Sequence, residues 1–184
     1  MNKPTKEELN ALRDECYKIA CDHGFHDEKL SERHLLCLVI TELSEAVEAD
    51  RKGRHADIKS FNEAINGFAC EIAFDGYIKD TVEDELADAA IRILDLAGMM
   101  GDNFDSFSSV PPKNRDEGMY DYFSNKSFTE SIYEVCEDIF TLGYDVALYD
   151  LFIIADVLGF DLMEHIKLKM EYNRTRERLH GKRY

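Results

Sequence analysis

Length, composition and charge limit what this chain can be. Its 184 residues, 45% of them hydrophobic, are enough for one ordinary domain with a sizeable core. The 38 acidic residues outnumber the 22 basic ones, and the formal net charge of -16 disfavours binding to nucleic acids or anionic membranes. No stretch approaches the roughly 18 uncharged apolar residues of a membrane span, and the N-terminus lacks the apolar region of a signal peptide. The five cysteines form no CxxC pair and mostly occupy apolar helical positions, as reduced core residues do. We therefore expect a cytoplasmic protein with a single domain over residues 1–184.

Helical periodicity continues through almost the whole chain. No segment alternates apolar and polar residues for long enough to indicate a strand. Thr5 and Glu8 have the spacing of a capping box and begin a first helix, which ends at Gly24. Ser31 is the expected cap of a second helix, which ends near Gly53. The chain is therefore predicted to be all-α.

The rest of the chain contains further helices and one irregular segment. Residues 56–79 are predicted to be helical, and residues 81–100 form a fourth helix rich in good helix formers. From 101 to 126 the chain has two prolines, many small polar residues and no period, which indicates a long loop or lid. Three later helices are predicted near residues 127–142, 145–158 and 160–177. The expected fold is an antiparallel bundle of about six or seven helices with an irregular loop near 101–126.

Two glutamates of the second predicted helix, Glu42 and Glu45, are unusual because of their neighbours. At about 100° per residue, Glu42 falls on the apolar stripe and Glu45 at its edge. The stripe consists of Leu35, Leu38, Val39, Ala46 and Ala49. A buried carboxylate must be paired, protonated or bound to a metal. A solvated acidic face is the alternative, and it fits Glu48 better than Glu42.

The fourth predicted helix has a matching polar stripe. From 86 to 100 it is apolar nearly all round, except at Asp88, Arg92 and Asp95, and Glu85 precedes Asp88 by three residues. If the two helices pack side by side, four carboxylates meet, and these cannot all stay ionised without a cation. Oxygen ligands of this kind suit Mg²⁺, with Mn²⁺ as an alternative. The competing interpretation is an ion pair between Asp88 and Arg92 with nothing bound.

The C-terminal segment is basic although the chain as a whole is acidic. From residue 167 onward there are seven basic and two acidic residues, so this tail has a net charge of +5 and the remainder -21. Lys169, Asn173 and Arg176 lie at i, i+4 and i+7, and one helical face would present an ammonium, an amide and a guanidinium. Such a row can bind phosphate groups. Basic residues are also common at helix C-termini because they complement the helix dipole.

Taken together, these motifs resemble those of the all-α nucleoside triphosphate pyrophosphohydrolases, which include MazG-like proteins and the dimeric dUTPases. The family pattern ExxE followed by ExxD matches Glu42-Leu43-Ser44-Glu45 and Glu85-Leu86-Ala87-Asp88. The row KxxxNxxR of the dimeric dUTPases is similar to Lys169, Asn173 and Arg176. The resemblance covers roughly residues 31–100 and 160–184.

The resemblance implies a Mg²⁺-dependent enzyme and a set of site residues. The substrate would be a nucleoside triphosphate, such as dUTP or another deoxy or non-canonical nucleotide. Hydrolysis between the α and β phosphates would give a nucleoside monophosphate and pyrophosphate. The implied metal ligands and catalytic residues are Glu42, Glu45, Glu85 and Asp88. The implied substrate-binding residues are Lys169, Asn173, Arg176, His180 and Lys182. Arg92 and Asp95 are candidate supports of these residues, and the family resemblance also implies a homodimer or a higher homo-oligomer.

Two other classes of protein are alternatives. A carboxylate-bridged di-iron bundle would need Glu-x-x-His pairs on core helices, and the only such spacing, Glu177 to His180, lies in the basic tail. A non-catalytic helical interaction module would use the segment 101–126 to bind a partner. In that case the carboxylates on the apolar faces would have no function.

Overall fold

The computed structural model describes residues 4–105, 112–181 and 183. All regular structure in these ranges is helical, which confirms the all-α prediction. The α-helices are α1 Lys6–Asp22, α2 Glu32–Arg51, α3 Ile58–Ala64, α4 Cys70–Tyr77, α5 Val82–Met100, α6 Pro112–Ser124, α7 Phe128–Thr141, α8 Tyr144–Leu158 and α9 Leu162–Thr175. A short 3-10 turn, Arg178–Gly181, follows α9. None of the helices in the described ranges is long and apolar enough to cross a membrane.

The predicted helix ends are formed by side-chain caps. Thr5 and Glu8 form both hydrogen bonds of a capping box at the start of α1. The Ser31 hydroxyl accepts a hydrogen bond from the His34 amide at the start of α2. Helix α5 begins after Thr81, whose side chain accepts from the Asp84 amide. These contacts fix where α2 and α5 begin, and therefore which faces their acidic residues occupy.

Helix α5 is the centre of the bundle and packs against α1, α2, α8 and α9. Leu86, Ile93 and Leu96 on this helix are fully buried. A Cβ atom at Gly98 would lie 2.5 Å from the Tyr17 Cβ, so the glycine lets α1 and α5 approach closely. Because α5 is covered on nearly all sides, its charged side chains are held between helices and not in open water.

The region 56–79 is helical, as predicted, but it is divided into α3 and α4. These two helices pack around a small second core, in which Phe61 and Phe74 are buried and the Phe74 ring stacks on Tyr172 with 4.3 Å between centroids. The sequence predicts helical structure here with breaks at Gly67 and Gly76, and the structure has its break between Ile65 and Ala69. This small core therefore attaches α3 and α4 to α9.

The prediction of an irregular loop over 101–126 is wrong for residues 112–124, which form α6. Pro112 at the first helical position is favourable because its missing N–H has no intrahelical acceptor there. The segment has almost no apolar period, and its packing depends on Phe123, which is 2% exposed in the core. The helix packs against α8. Residues 106–111 of the predicted loop lie outside the described part of the chain.

Candidate functional site

Three glutamates of α2 and α5 converge at one point. Glu42, Glu45 and Glu85 each have a carboxylate oxygen within 4.8 Å of the other two. Glu42 and Glu85 are 3% and 5% exposed, whereas Glu45 is exposed. The i, i+3 spacing places Glu42 and Glu45 on neighbouring turns of α2, and the packing of α2 on α5 brings Glu85 to them. We refer to these three residues as the glutamate cluster.

The glutamate cluster has unfavourable electrostatics without a cation. The pKa of Glu85 is raised to about 9, first by burial and then by the negative charges of Asp84 and Asp88, with Glu42 adding to the effect. The Glu85 carboxyl is therefore protonated near neutral pH in the protein alone. Carboxylate oxygens at this separation are the ligands that Mg²⁺ and Mn²⁺ prefer, so the donor set fits such an ion.

Asp88, the fourth predicted ligand, has a different partner in this structure. Its carboxylate lies 2.8 Å from the Lys169 ammonium, which is also 2.8 Å from an oxygen of Asp84. We refer to Asp84, Asp88 and Lys169 as the lysine triad. The sequence analysis did not single out Asp84, although its i, i+4 spacing to Asp88 puts both on one face of α5. Asp88 therefore borders the glutamate cluster without contributing an oxygen to it.

Lys169 is buried and forms ion pairs with two carboxylates. It is 4% exposed, and its ammonium lies 5.5 Å from the centroid of the Phe74 ring. Burial alone would lower its pKa, but the charges of Asp88 and Asp84 outweigh that effect and raise it. Its predicted contact with phosphate stays a prediction, and in this structure two protein carboxylates share its charge.

Arg92 contacts the glutamate cluster and not Asp88. Its Nε and Nη2 atoms are both 2.5 Å from Oε1 of Glu42. The alternative interpretation of the sequence paired Arg92 with Asp88 on the same helix. The structure pairs it with α2 instead, because a buried carboxylate on the facing helix is within reach of the guanidinium.

Asp95, the last residue of the α5 polar stripe, pairs with a histidine that the sequence analysis did not single out. Its Oδ1 lies 2.7 Å from Nε2 of His26, and the His26 ring lies 4.9 Å from that of Tyr17. Burial raises the pKa of Asp95, and His26 and Arg92 oppose that effect. His26 follows α1 in a turn without periodicity, so no sequence pattern indicated this contact.

A pocket lies beside the polar stripe of α5. Its polar lining comes from two regions, and the residues are Asp88, Arg92 and Asp95 of α5 with Asn173, Arg176 and His180 from the C-terminal segment. Most of the remaining lining is apolar and comes from α1, α2, α5 and the turn between α1 and α2. Asp88 and Arg92 therefore line the pocket. Arg92 also contacts Glu42 of the glutamate cluster, and Asp88 contacts Lys169.

The C-terminal turn folds back to form one side of this pocket. The amide of Leu179 donates to the carbonyl of His23 at 2.9 Å, and the His180 ring lies 5.0 Å from that of Phe25. Arg176 donates from Nη2 to the His180 carbonyl at 3.1 Å. Three predicted substrate-binding residues, Asn173, Arg176 and His180, therefore line the same pocket. The fifth, Lys182, lies outside the described residues.

Comparison with known proteins provides no relative for this chain. No protein-family model, no curated protein and no solved structure matches it. The resemblance to the pyrophosphohydrolases therefore depends on the sequence motifs alone.

Proposed function

We propose that this protein is a Mg²⁺-dependent nucleoside triphosphate pyrophosphohydrolase. The observation that supports this most strongly is the convergence of Glu42, Glu45 and Glu85 within 4.8 Å, next to a pocket that carries basic side chains. Their oxygen donors fit Mg²⁺, with Mn²⁺ as an alternative. The reaction would join water to a nucleoside triphosphate and release a nucleoside monophosphate and pyrophosphate.

Each side chain has a role in this proposal. When bound, Mg²⁺ supplies charge neutralisation of the phosphate oxygens and a more acidic water. Glu42, Glu45 and Glu85 would hold the ion, and Asp88 would complete the acidic surroundings. Glu45 is the exposed member of the cluster, so it can accept the proton of an attacking water that enters from solvent.

The remaining charged residues support substrate binding and orientation. Arg92 holds one oxygen of Glu42 and so fixes that carboxylate. Arg176 and His180 line the pocket and would contact the phosphates. Lys169 would position Asp88 through its ion pair. The bond that breaks joins the bridging oxygen to one of the two phosphorus atoms, and the new P–O bond forms from water.

A di-iron function has less support. Such sites combine glutamates with histidines on core helices. Within the described residues, the group of side chains able to hold a metal ion contains glutamates alone. This favours a hard divalent ion over a redox-active iron pair.

The test is the release of pyrophosphate from a panel of canonical, deoxy and modified nucleoside triphosphates in the presence of Mg²⁺. Glu42→Gln and Asp88→Asn should each reduce turnover by at least about 100-fold while the helical circular dichroism persists. Glu48→Gln is the matched control, since Glu48 is exposed on the same helix as Glu42. Unchanged turnover in both variants, or no pyrophosphate from any nucleotide, would contradict the proposal.

Self-association and a cytoplasmic location belong to the same proposal. Large apolar side chains are exposed on and just after α7, where Tyr133, Phe140 and Leu142 are 67%, 65% and 63% exposed, and a second copy could cover them. All five cysteines are free thiols, in keeping with a reducing compartment. Analytical ultracentrifugation should show a homodimer or larger species, and a monomer at micromolar concentration would contradict self-association.

A further inference from the structure

The pocket is lined by both polar and apolar side chains. Its apolar residues are Cys16, Ile19, Ala20, Phe25, Leu30, Leu35, Leu38, Ile91 and Met170. They come from α1, α2, α5, α9 and the segment between α1 and α2. These apolar side chains offer a surface for a flat uncharged ring, while phosphates attached to that ring would lie near the polar residues Arg176 and His180.

Asn173 differs from the charged residues around it. Asp88 pairs with Lys169, Arg92 with Glu42, and Asp95 with His26. Asn173 is 7% exposed, and its Oδ1 has no hydrogen-bond partner among the described residues. An acceptor left unpaired in a buried site costs about 1–3 kcal/mol, so such atoms are rare in folded proteins. A ligand that donates to this oxygen would remove that cost.

The position of Asn173 suits a neutral partner. Its neighbour in the basic row, Lys169, already shares its charge with Asp84 and Asp88. A neutral amide offers donors and an acceptor side by side, which matches the edge of a heterocycle that carries both. The apolar walls would cover the faces of such a ring.

We propose that the pocket binds the base of the nucleotide and that the Asn173 side chain hydrogen-bonds the edge of that base. This inference rests on the proposed function and deepens it, because it assigns Asn173 to base recognition and not to phosphate binding. Asp88 and Arg92 line the pocket and also contact the residues around the glutamate cluster. A base in the pocket would therefore direct its phosphates toward that cluster.

The experiment uses nucleosides, which have no phosphate and need no metal. Uridine, thymidine, cytidine, adenosine and guanosine are titrated into the full chain without Mg²⁺ and followed by calorimetry or NMR. We expect saturable binding of at least one nucleoside, and at least about 10-fold weaker binding to Asn173→Leu, because the leucine leaves the base edge unpaired. Glu171→Gln, an exposed change on the same helix, should bind as the unchanged protein does.

Two further measurements separate base recognition from phosphate binding. Inorganic pyrophosphate with Mg²⁺ should bind Asn173→Leu within about 2-fold of the unchanged protein, since no phosphate contact is lost. Ala20→Leu, which fills the pocket from α1, should weaken nucleoside binding in the same way and keep Mg²⁺ binding. Loss of pyrophosphate binding in Asn173→Leu with unchanged nucleoside binding would overturn the inference.

Thermal unfolding of Asn173→Leu tests the role of this amide in the absence of any ligand. Asn173→Leu removes an unpaired buried acceptor, so the melting temperature without ligand should rise by about 2–4 °C. A lower melting temperature would mean that the amide is needed by the fold itself, and would count against a ligand role.

The outcomes also distinguish this inference from the proposed function. If pyrophosphate is released but Asn173→Leu has the same relative kcat/KM for every base, the enzyme assignment stands and the role of Asn173 is wrong. If nucleosides bind through Asn173 but no triphosphate is hydrolysed, the pocket is a base-binding site and the enzyme assignment is wrong.

Discussion

Two groups of acidic side chains include residues of α5, and they differ in how their charge is balanced. In the lysine triad, Asp84 and Asp88 share the ammonium of Lys169 at 2.8 Å from each. In the glutamate cluster, three carboxylates converge, and the guanidinium of Arg92 contacts one of them, Glu42. Taken as fully ionised, these four residues have a formal charge of -2. That excess matches a divalent cation.

Asp84 and Glu85 are adjacent on α5, and their pKa values show the effect of this difference in charge balance. Burial raises the pKa of Asp84 to about 6, and the charge of Lys169 opposes that rise. Burial and the nearby carboxylates raise the pKa of Glu85 to about 9. Similar burial thus gives different ionisation, because the triad contains its own cation and the cluster needs one from solution.

The largest expected effect comes from removing the cation of the triad. Lys169→Met leaves the buried carboxylate of Asp84 and the half-buried carboxylate of Asp88 without their ammonium, and should lower the free energy of unfolding by about 3–5 kcal/mol. Urea unfolding followed by circular dichroism measures this. The control is Lys167→Met, an exposed change on α9, which should stay within about 0.5 kcal/mol of the unchanged protein. Equal stability of both variants would show that the triad does not need its lysine.

Supplying the cation that the cluster lacks should have the next largest effect. Mg²⁺ at about 100 times its Kd should raise the free energy of unfolding by about 2.7 kcal/mol. Glu45→Gln removes one negative charge from the cluster and replaces one carboxylate oxygen with an NH2 group, so it should largely abolish this gain, whereas Glu48→Gln should keep it. Urea unfolding with Mg²⁺ and with a chelator measures both. The same Mg²⁺ gain in Glu45→Gln would refute the site.

The pH dependence of the free energy of unfolding should report the raised pKa of Glu85. Its folded pKa is about 9 and its ordinary value is 4.5, so between these pH values the unfolded chain releases a proton that the folded chain keeps. The free energy of unfolding therefore falls as pH rises through this window, by up to about 1.4 kcal/mol per pH unit. Below pH 4.5 this cost disappears.

The variant Glu85→Gln checks that assignment. Without divalent ions it should be more stable than the unchanged protein at pH 8 by more than about 1 kcal/mol, and nearly equal to it at pH 5. Glu171→Gln, an exposed control, should show no such pH-dependent gain. Equal stability of Glu85→Gln and the unchanged protein at pH 8 would mean that Glu85 is ionised without a metal.

The smallest effect concerns Asp95, a third acidic residue of α5 with a different neighbour, the ring of His26. His26→Gln removes the ring whose Nε2 lies 2.7 Å from Oδ1 of Asp95, and should cost about 1 kcal/mol of unfolding free energy. Thermal unfolding at pH 6 should show a lower melting temperature. An unchanged melting temperature would indicate that Asp95 is held by burial and by Arg92 alone.

Much of the fold was predictable because local signals agree with each other. Capping residues such as Thr5 and Ser31 begin helices, and apolar periodicity identifies their buried faces. The polar stripe of α5 was also visible, since Asp88, Arg92 and Asp95 interrupt an apolar helix. Helix α6 was missed because its weak amphipathicity gives no period, and the buried Phe123 carries no pattern by itself.

The sequence by itself determined the all-helical class, the acidic pairs on α2 and α5 and the placement of Lys169 and Asn173 on one face of α9, since each depends on spacing within one helix. The tertiary structure alone decided the partners. Asp88 pairs with Lys169 and Arg92 with Glu42, although these residues are 81 and 50 positions apart. Such pairings depend on which helices pack against each other. For the same reason, the structure alone separated the glutamate cluster from the lysine triad and showed Asn173 as a buried amide in a pocket.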